Sequence, residues 1–159
     1  RSGFEVTGRD GLTLTDAWAD GMATLHGMFV HGFPNMFIVG IIQGSFLASN
    51  ITSNYPPQGV TLAALLNHMS QTGASRVETS REAQDSWVEL LLTAPPTIVG
   101  GPDCTPGYYN SEGQVEGRKE RLNLGRYPAG PMAFFDHIDR WRSSGSFEGL
   151  IFDGQTIGG

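Results

Sequence analysis

The sequence predicts an α/β fold, and three observations carry that reading. Residues 36–42 read Met-Phe-Ile-Val-Gly-Ile-Ile, a run apolar on both faces, as in a strand buried on both sides within a parallel sheet. Three later stretches repeat apolar residues at helical spacing. Proline, glycine and capping residues stand where such helices should begin and end.

The elements follow in order. Leu12-Thr13-Leu14 alternates like a brief strand, and residues 15–21 suit one helical turn capped by Thr15 and stopped by Gly21. Met28-Phe29-Val30 suits another short strand, and the strand over 36–42 follows Pro34 and Asn35. A helix is expected over 57–71, with Leu62, Leu65, Leu66 and Met69 on one apolar face. Pro57 fits its first turn and Gly73 its stop. Thr79-Ser80-Arg81-Glu82 has the form of a capping box. It opens a helix with a stripe of Ala83, Trp87, Leu90 and Leu91, which Pro95 and Pro96 end. Residues 95–130 hold turn formers with little periodicity, the mark of a long loop that is functional or mobile. A last helix starts at Pro131, carries Phe134, Ile138 and Trp141 on its apolar stripe, and stops at Ser143-Ser144-Gly145. Residues 147–152 suit a final strand, and residues 153–159 a frayed tail.

Composition narrows the function. Glycine is abundant, at 22 of 159 residues, but has no collagen period. The net charge of −6 disfavours a nucleic-acid binder, which needs a basic footprint. No apolar run approaches the roughly 18–20 residues that span a bilayer. The single Cys104 excludes an internal disulfide framework and a cysteine-rich zinc site, so a cytoplasmic, reducing setting is the plain reading. The chain begins with Arg1 and not Met, which suggests a fragment.

Self-contained chemistry is not visible. Neither G-x-G-x-x-G nor the Walker-type phosphate loop occurs. His26, His31, His68 and His137 lack metal-ligand spacing and read as structural or surface histidines, so no metal is expected. Asp136 and Asp139 read as a solvated acidic face. Asn50-Ile51-Thr52 matches a glycosylation sequon, read here as coincidence. Asp10 and Trp18 read as ordinary turn and core residues.

Three ordered stretches add a family likeness. The first runs Ser2-Gly3-Phe4-Glu5-Val6, Gly8-Arg9-Asp10-Gly11, Trp18 and Thr24-Leu25-His26-Gly27-Met28. The second is Gly32-Phe33-Pro34-Asn35-Met36-Phe37, leading to Gln43-Gly44-Ser45-Phe46 and Asn50. The third is Cys104-Thr105-Pro106-Gly107-Tyr108-Tyr109-Asn110-Ser111-Glu112-Gly113, followed by Tyr127, Gly130-Pro131, Phe134-Phe135, Trp141-Arg142 and Gly149-Leu150. Together they resemble the C-terminal part of flavin-dependent Baeyer–Villiger monooxygenases, nearest the branch acting on cyclic and larger ketones, steroids included.

The resemblance implies a C-terminal fragment of a flavoprotein with two dinucleotide-binding domains. It would hold the end of the FAD-domain sheet, helices and a long lid-like loop. Residues 1–55 would end the FAD domain, 56–94 form a helical segment, 95–130 the lid-like loop, and 131–159 the last helix, strand and tail. The implied reaction inserts one oxygen atom of O2 beside a ketone carbonyl to give an ester or lactone, with FAD carrying the chemistry and NADPH supplying the hydride. Gln43, Gly44, Asn50, Ile51 and Thr52 fall where the family approaches the flavin. Phe46, Leu47 and Ala48 fall on the substrate-pocket loop, and Tyr108, Tyr109 and Asn110 on the lid. The family's catalytic arginine lies upstream, so no catalytic residue is expected here and the fragment alone should be inactive. Its partners would be the ketone, O2 and the remaining N-terminal part of the enzyme.

The chain departs from the family pattern at Ile41-Ile42, Pro57-Gln58 and Thr61, which bears on substrate preference more than on fold. From its own residues the 36–52 region reads equally as a buried strand and polar turn. Two other readings stand beside the first: a fragment of another flavin-containing monooxygenase, and a non-catalytic binding module descended from the enzyme.

Overall fold

The computed structural model describes residues 4–40, 43, 51–95, 105, 107, 117–123 and 125–153. Its helices are α1 (Leu14–Ala17), α2 (Tyr55–Thr72), α3 (Arg81–Thr93), α4 (Arg118–Asn123) and α5 (Pro131–Ser143). Two strands, β1 (Val77–Thr79) and β2 (Leu150–Phe152), pair antiparallel with Val77 opposite Phe152. Short 3-10 turns at Arg9–Gly11 and Ile51–Asn54 complete the described elements.

The helical expectations for α2, α3 and α5 hold, with shifts at their edges. α2 ends as expected at Gly73, whose φ of 75° lets its amide bond back to the Met69 carbonyl. Its inward face is Thr61, Leu65 and Met69, while Leu66 is 54% exposed. α3 is capped by Ser80 and not Thr79: the Ser80 hydroxyl accepts from the Ala83 amide at 3.1 Å. The capping box is not closed: with Ser80 as N-cap the third helical residue is Ala83, which has no acceptor to reach back, and the Ser80 amide donates to the Gly149 carbonyl at 2.9 Å. The buried stripe of α3 is Gln84, Trp87, Val88 and Leu91, rotated from the expected one, and Leu90 stays partly exposed. The turn near the start moves likewise, since Thr13 caps α1 by accepting from Asp16. α5 buries Phe134, Ile138 and Trp141 as expected.

The strand expectations need more correction. Residues 36–40 form no strand, and Ile41 and Ile42 lie outside the described residues. A strand needs a ladder partner. Here the Ile38 amide reaches the Met28 carbonyl at 2.9 Å, but no neighbouring strand continues the pattern among the described residues. Val39 is accordingly 50% exposed. Residues 28–30 are buried but form no strand: an isolated Leu25–Phe29 bridge closes a tight turn at residues 26–28. The strand expected over 12–14 reduces to a Thr7–Thr13 bridge. The final strand is present but shorter, and its partner β1 has no counterpart in the sequence reading. The tail from residue 154 onward lies outside the described residues.

The core gathers these pieces. Leu25, Met28 and Phe29 from the loop meet Leu65 and Met69 of α2, Val77 of β1, Trp87 and Leu91 of α3, Phe134, Ile138 and Trp141 of α5, and Phe147 and Phe152. Asn35 fastens the entering loop to β1. Its amide donates to the Val77 carbonyl and its Oδ1 accepts from the Val77 amide, both at 2.9 Å. Its Nδ2 donates to the Ser75 carbonyl at 3.0 Å. Glu78 makes a second clamp, with Oε1 accepting from Arg9 Nη2 and from the Gly32 amide at 2.8 Å each. Gly8 allows this close approach: a Cβ there would lie 2.2 Å from the Gly32 carbonyl oxygen.

Candidate functional site

The site is built where residues 36–43 lead toward residues 51–54. Gln58, in the first turns of α2, holds Gly40 by both backbone groups: Oε1 accepts from the Gly40 amide at 3.0 Å and Nε2 donates to its carbonyl at 2.9 Å. Gln43 is only 1% exposed. Its Oε1 accepts from Thr24 Oγ1 at 2.6 Å, and its Nε2 donates to the carbonyls of Leu122, at 3.0 Å, and Met22. The side chain thus faces the core, which leaves only the backbone of Gln43 for any cofactor contact.

Of the other expected site residues, the Ile51 backbone and Thr52 lie in the 3-10 turn Ile51–Asn54 that leads into α2. α2 has no side-chain N-cap, and Pro56 and Pro57 bring no amide hydrogen to its first turn. The turn Ile51–Asn54 and Tyr55 thus stand at the positive end of an 18-residue helix dipole. Gly44, Phe46, Leu47, Ala48 and Asn50 lie outside the described residues, as do Tyr108, Tyr109, Asn110 and Cys104. Past the expected lid, α4 is a helix within the stretch read as irregular. It docks on residues 19–24 through Lys119 Nζ to the Ala19 carbonyl at 3.0 Å and Asn123 Oδ1 from the Met22 amide at 3.1 Å.

Beside the start of α2 lies a cleft lined by His26, Met28, Asn54, Pro57, Gln58, Phe134, Phe135 and Ile138. His26 is 5% exposed, and its Nε2 lies 3.2 Å from His137 Nε2. Its ring packs edge-on against Trp87 and Trp141. One ring of the pair must donate and the other accept. His26 Nδ1 is buried with no partner among the described residues. A buried orphan acceptor is tolerated better than an orphan donor, so we assign the His26 proton to Nε2, donating to His137. Burial, and then the neighbouring His137, push the His26 pKa from 6.5 down to about 3. Burial, and then Arg140, lower that of His137.

The sequence reading of His26 as structural agrees with this packing. It missed the pairing with His137, 111 positions away, and the Thr24–Gln43–Leu122 chain. No spacing rule links such distant positions. Among the described residues, no group of three His, Cys, Asp or Glu side chains is placed to hold a metal ion. None of the helices there is long and apolar enough to cross a membrane.

No family model matches the chain. Individual relatives do. The chain is 35% identical over 153 residues to the FAD-binding monooxygenase hmp7 of Hypomyces subiculosus, covering 93% of this chain and 24% of the relative. It is 42% identical over 139 residues to a Baeyer–Villiger monooxygenase of Streptomyces coelicolor, covering 86% and 22%. Its fold matches the polycyclic ketone monooxygenase of the thermophilic fungus Thermothelomyces thermophila with a TM-score of 0.76 and 26% identity, over 94% of this chain and 24% of that one. Over nearly its whole length the chain is therefore similar to FAD-binding and Baeyer–Villiger monooxygenases, and it spans about a quarter of the length of the relatives it matches.

Proposed function

We propose that the chain is the C-terminal quarter of an FAD- and NADPH-dependent enzyme that inserts one oxygen atom of O2 beside a ketone carbonyl, giving an ester or lactone. The observation that carries this is the 42% identity to the Streptomyces coelicolor Baeyer–Villiger monooxygenase. The described residues fit a flavin in one chemical respect. The acceptor-rich pyrimidine edge of the ring calls for a positive end nearby, and the N-terminus of α2, which follows the turn Ile51–Asn54, supplies it.

When bound, the flavin supplies the oxygen chemistry and NADPH the hydride. The chain's own residues bind, orient and shield. The backbones of Gln43, Gly44, Asn50, Ile51 and Thr52 approach the ring, with Gly44 permitting contact at close range. Phe46, Leu47 and Ala48 give the ketone an apolar wall that holds it near the flavin and limits water. Tyr108, Tyr109 and Asn110, on a glycine-rich loop, cover the bound ligands. Residues 1–55 end the FAD domain, 56–94 form its helical flank, 95–130 the covering loop, and 131–159 the closing segment. The remaining N-terminal part of the enzyme is the chain's partner. It contributes two glycine-rich dinucleotide sites and the catalytic arginine, in a reducing cytoplasm without nucleic acid.

The test is expression of the whole reading frame. The full-length protein should purify with one FAD per chain, consume NADPH on addition of a cyclic ketone and yield the lactone by mass spectrometry. The 159 residues alone should bind no FAD tightly. A full-length protein without flavin, or one that oxidises NADPH with every ketone yet oxygenates none, overturns the proposal.

A further inference from the structure

We propose that Gln43 is a positioning residue that sets where the chain enters its flavin-facing stretch; this rests on the flavin monooxygenase reading above. Two segments distant from it in sequence, residues 22–24 and α4, meet at its amide. Both Nε2 hydrogens go to carbonyls, those of Met22 and Leu122, and Oε1 takes the Thr24 hydroxyl. Thr24, itself fully buried, accepts in turn from the Gly27 amide at 3.1 Å.

The partner set specifies the residue type. Two carbonyl acceptors and one hydroxyl donor require a group with two N–H donors and an acceptor. A carboxylate in that place would face two carbonyls with nothing to donate. An Asn is one methylene shorter, and Lys or Arg brings no acceptor. A buried amide with its donors satisfied is rigid, because any displacement leaves polar atoms unpaired in a low-dielectric setting. The platform it is tied to is firm as well. Leu122 is buried, Asn123 and Lys119 dock α4 on residues 19–22, and a Cβ at Gly21 would meet the Lys119 backbone at 3.0 Å.

Gln43 directly precedes Gly44, the first residue of the proposed flavin-facing stretch. The chain is thus held on both sides of that stretch. Gln58 pins Gly40 to α2, Gln43 pins the entry point to the Thr24 loop and α4, and the turn Ile51–Asn54 leads the exit into α2. Gln43 acts through the placement of the backbone that follows it, not by touching the ring with its side chain.

The test uses the full-length flavoenzyme with Gln43→Met, which keeps the volume and removes every amide bond, and Thr24→Val, which removes one. The readouts are the visible absorption spectrum of the bound flavin, kcat and KM for NADPH, and Tm. The expected result for Gln43→Met is a shifted flavin band and a kcat lowered by about 10- to 100-fold, with KM for NADPH changed far less. Thr24→Val should move both the same way by a smaller factor. Variants that lose Tm yet keep the wild-type flavin spectrum and kcat overturn the inference and leave a purely structural strut. If Gln43→Met does not fold, an unaltered spectrum and kcat in Thr24→Val overturn it equally. A wild-type protein without flavin overturns the parent reading and this inference with it, whereas a wild-type holoenzyme with unaltered variants overturns this inference alone.

Discussion

Residues 24–30 and residues 36–40 are both apolar and both follow turns, yet they end up differently. The first set is enclosed. Leu25, Met28 and Phe29 sit in one core with α2, α3, α5 and the strand pair, and even the polar His26 has aromatic rings and His137 around it. The second set is held at points, by Met28 on Ile38 and by Gln58 on Gly40, while Val39 remains half exposed. Enclosure makes the first region part of one continuous core. The second has the composition of a central strand without strands beside it among the described residues. An apolar run thus shows what a segment requires, and its neighbours decide whether the requirement is met.

Three measurements bear on this contrast, from the largest effect to the smallest. Trp87→Ala should cost about 3–5 kcal/mol in chemical denaturation, because Trp87 is buried against His26, Tyr127, Phe134 and His137. A loss under about 1 kcal/mol would show that the enclosed region is loosely packed.

The His26 pair should make stability depend on pH. His26 titrates near 6.5 when exposed and near 3 when folded, so the unfolded chain takes up its proton first. Its contribution is complete above pH 6.5 and falls as pH drops toward 3. The window from 6.5 to about 5 lies above the ordinary carboxylate range, and His137, also lowered by burial, adds to the slope there with the same sign. Stability should decline with acidification there, and His26→Asn, which tolerates the positive φ of 56° at this position, should flatten the slope. An equal slope in the variant would place the titrating group elsewhere.

Val39→Ser should change the stability of these 159 residues by less than about 0.5 kcal/mol, as for an ordinary surface site. The same substitution in the full-length enzyme should cost clearly more if neighbouring strands cover Val39 there. Equal, small costs in both would mean that the run stays uncovered.

Much of this was legible in the sequence where the signal is local. Gly73 stops α2, Pro131 opens α5, and Phe134, Ile138 and Trp141 face inward, because caps and helical periodicity act within a few residues. Errors arose where a tertiary partner chose among near-equal local options. Ser80 displaced Thr79 as the cap because Thr79 was taken into β1, whose partner lies some seventy positions away. Gln84 displaced Ala83 in the buried stripe because its side chain accepts from the His31 amide at 2.8 Å. Gln43 is an expected site position only through its motif, and the inward direction of its amide was not legible in the sequence.

The helices, their stops and the family likeness thus come from the chain alone, since each depends on residues close together or on ordered motifs. Tertiary contacts chose which faces of α2 and α3 turn inward, left residues 36–40 without a ladder among the described residues, and brought Gln43 to Leu122 across 79 positions. Those outcomes depend on which distant polar groups and rings meet, and a buried polar group settles wherever its hydrogen bonds can be completed.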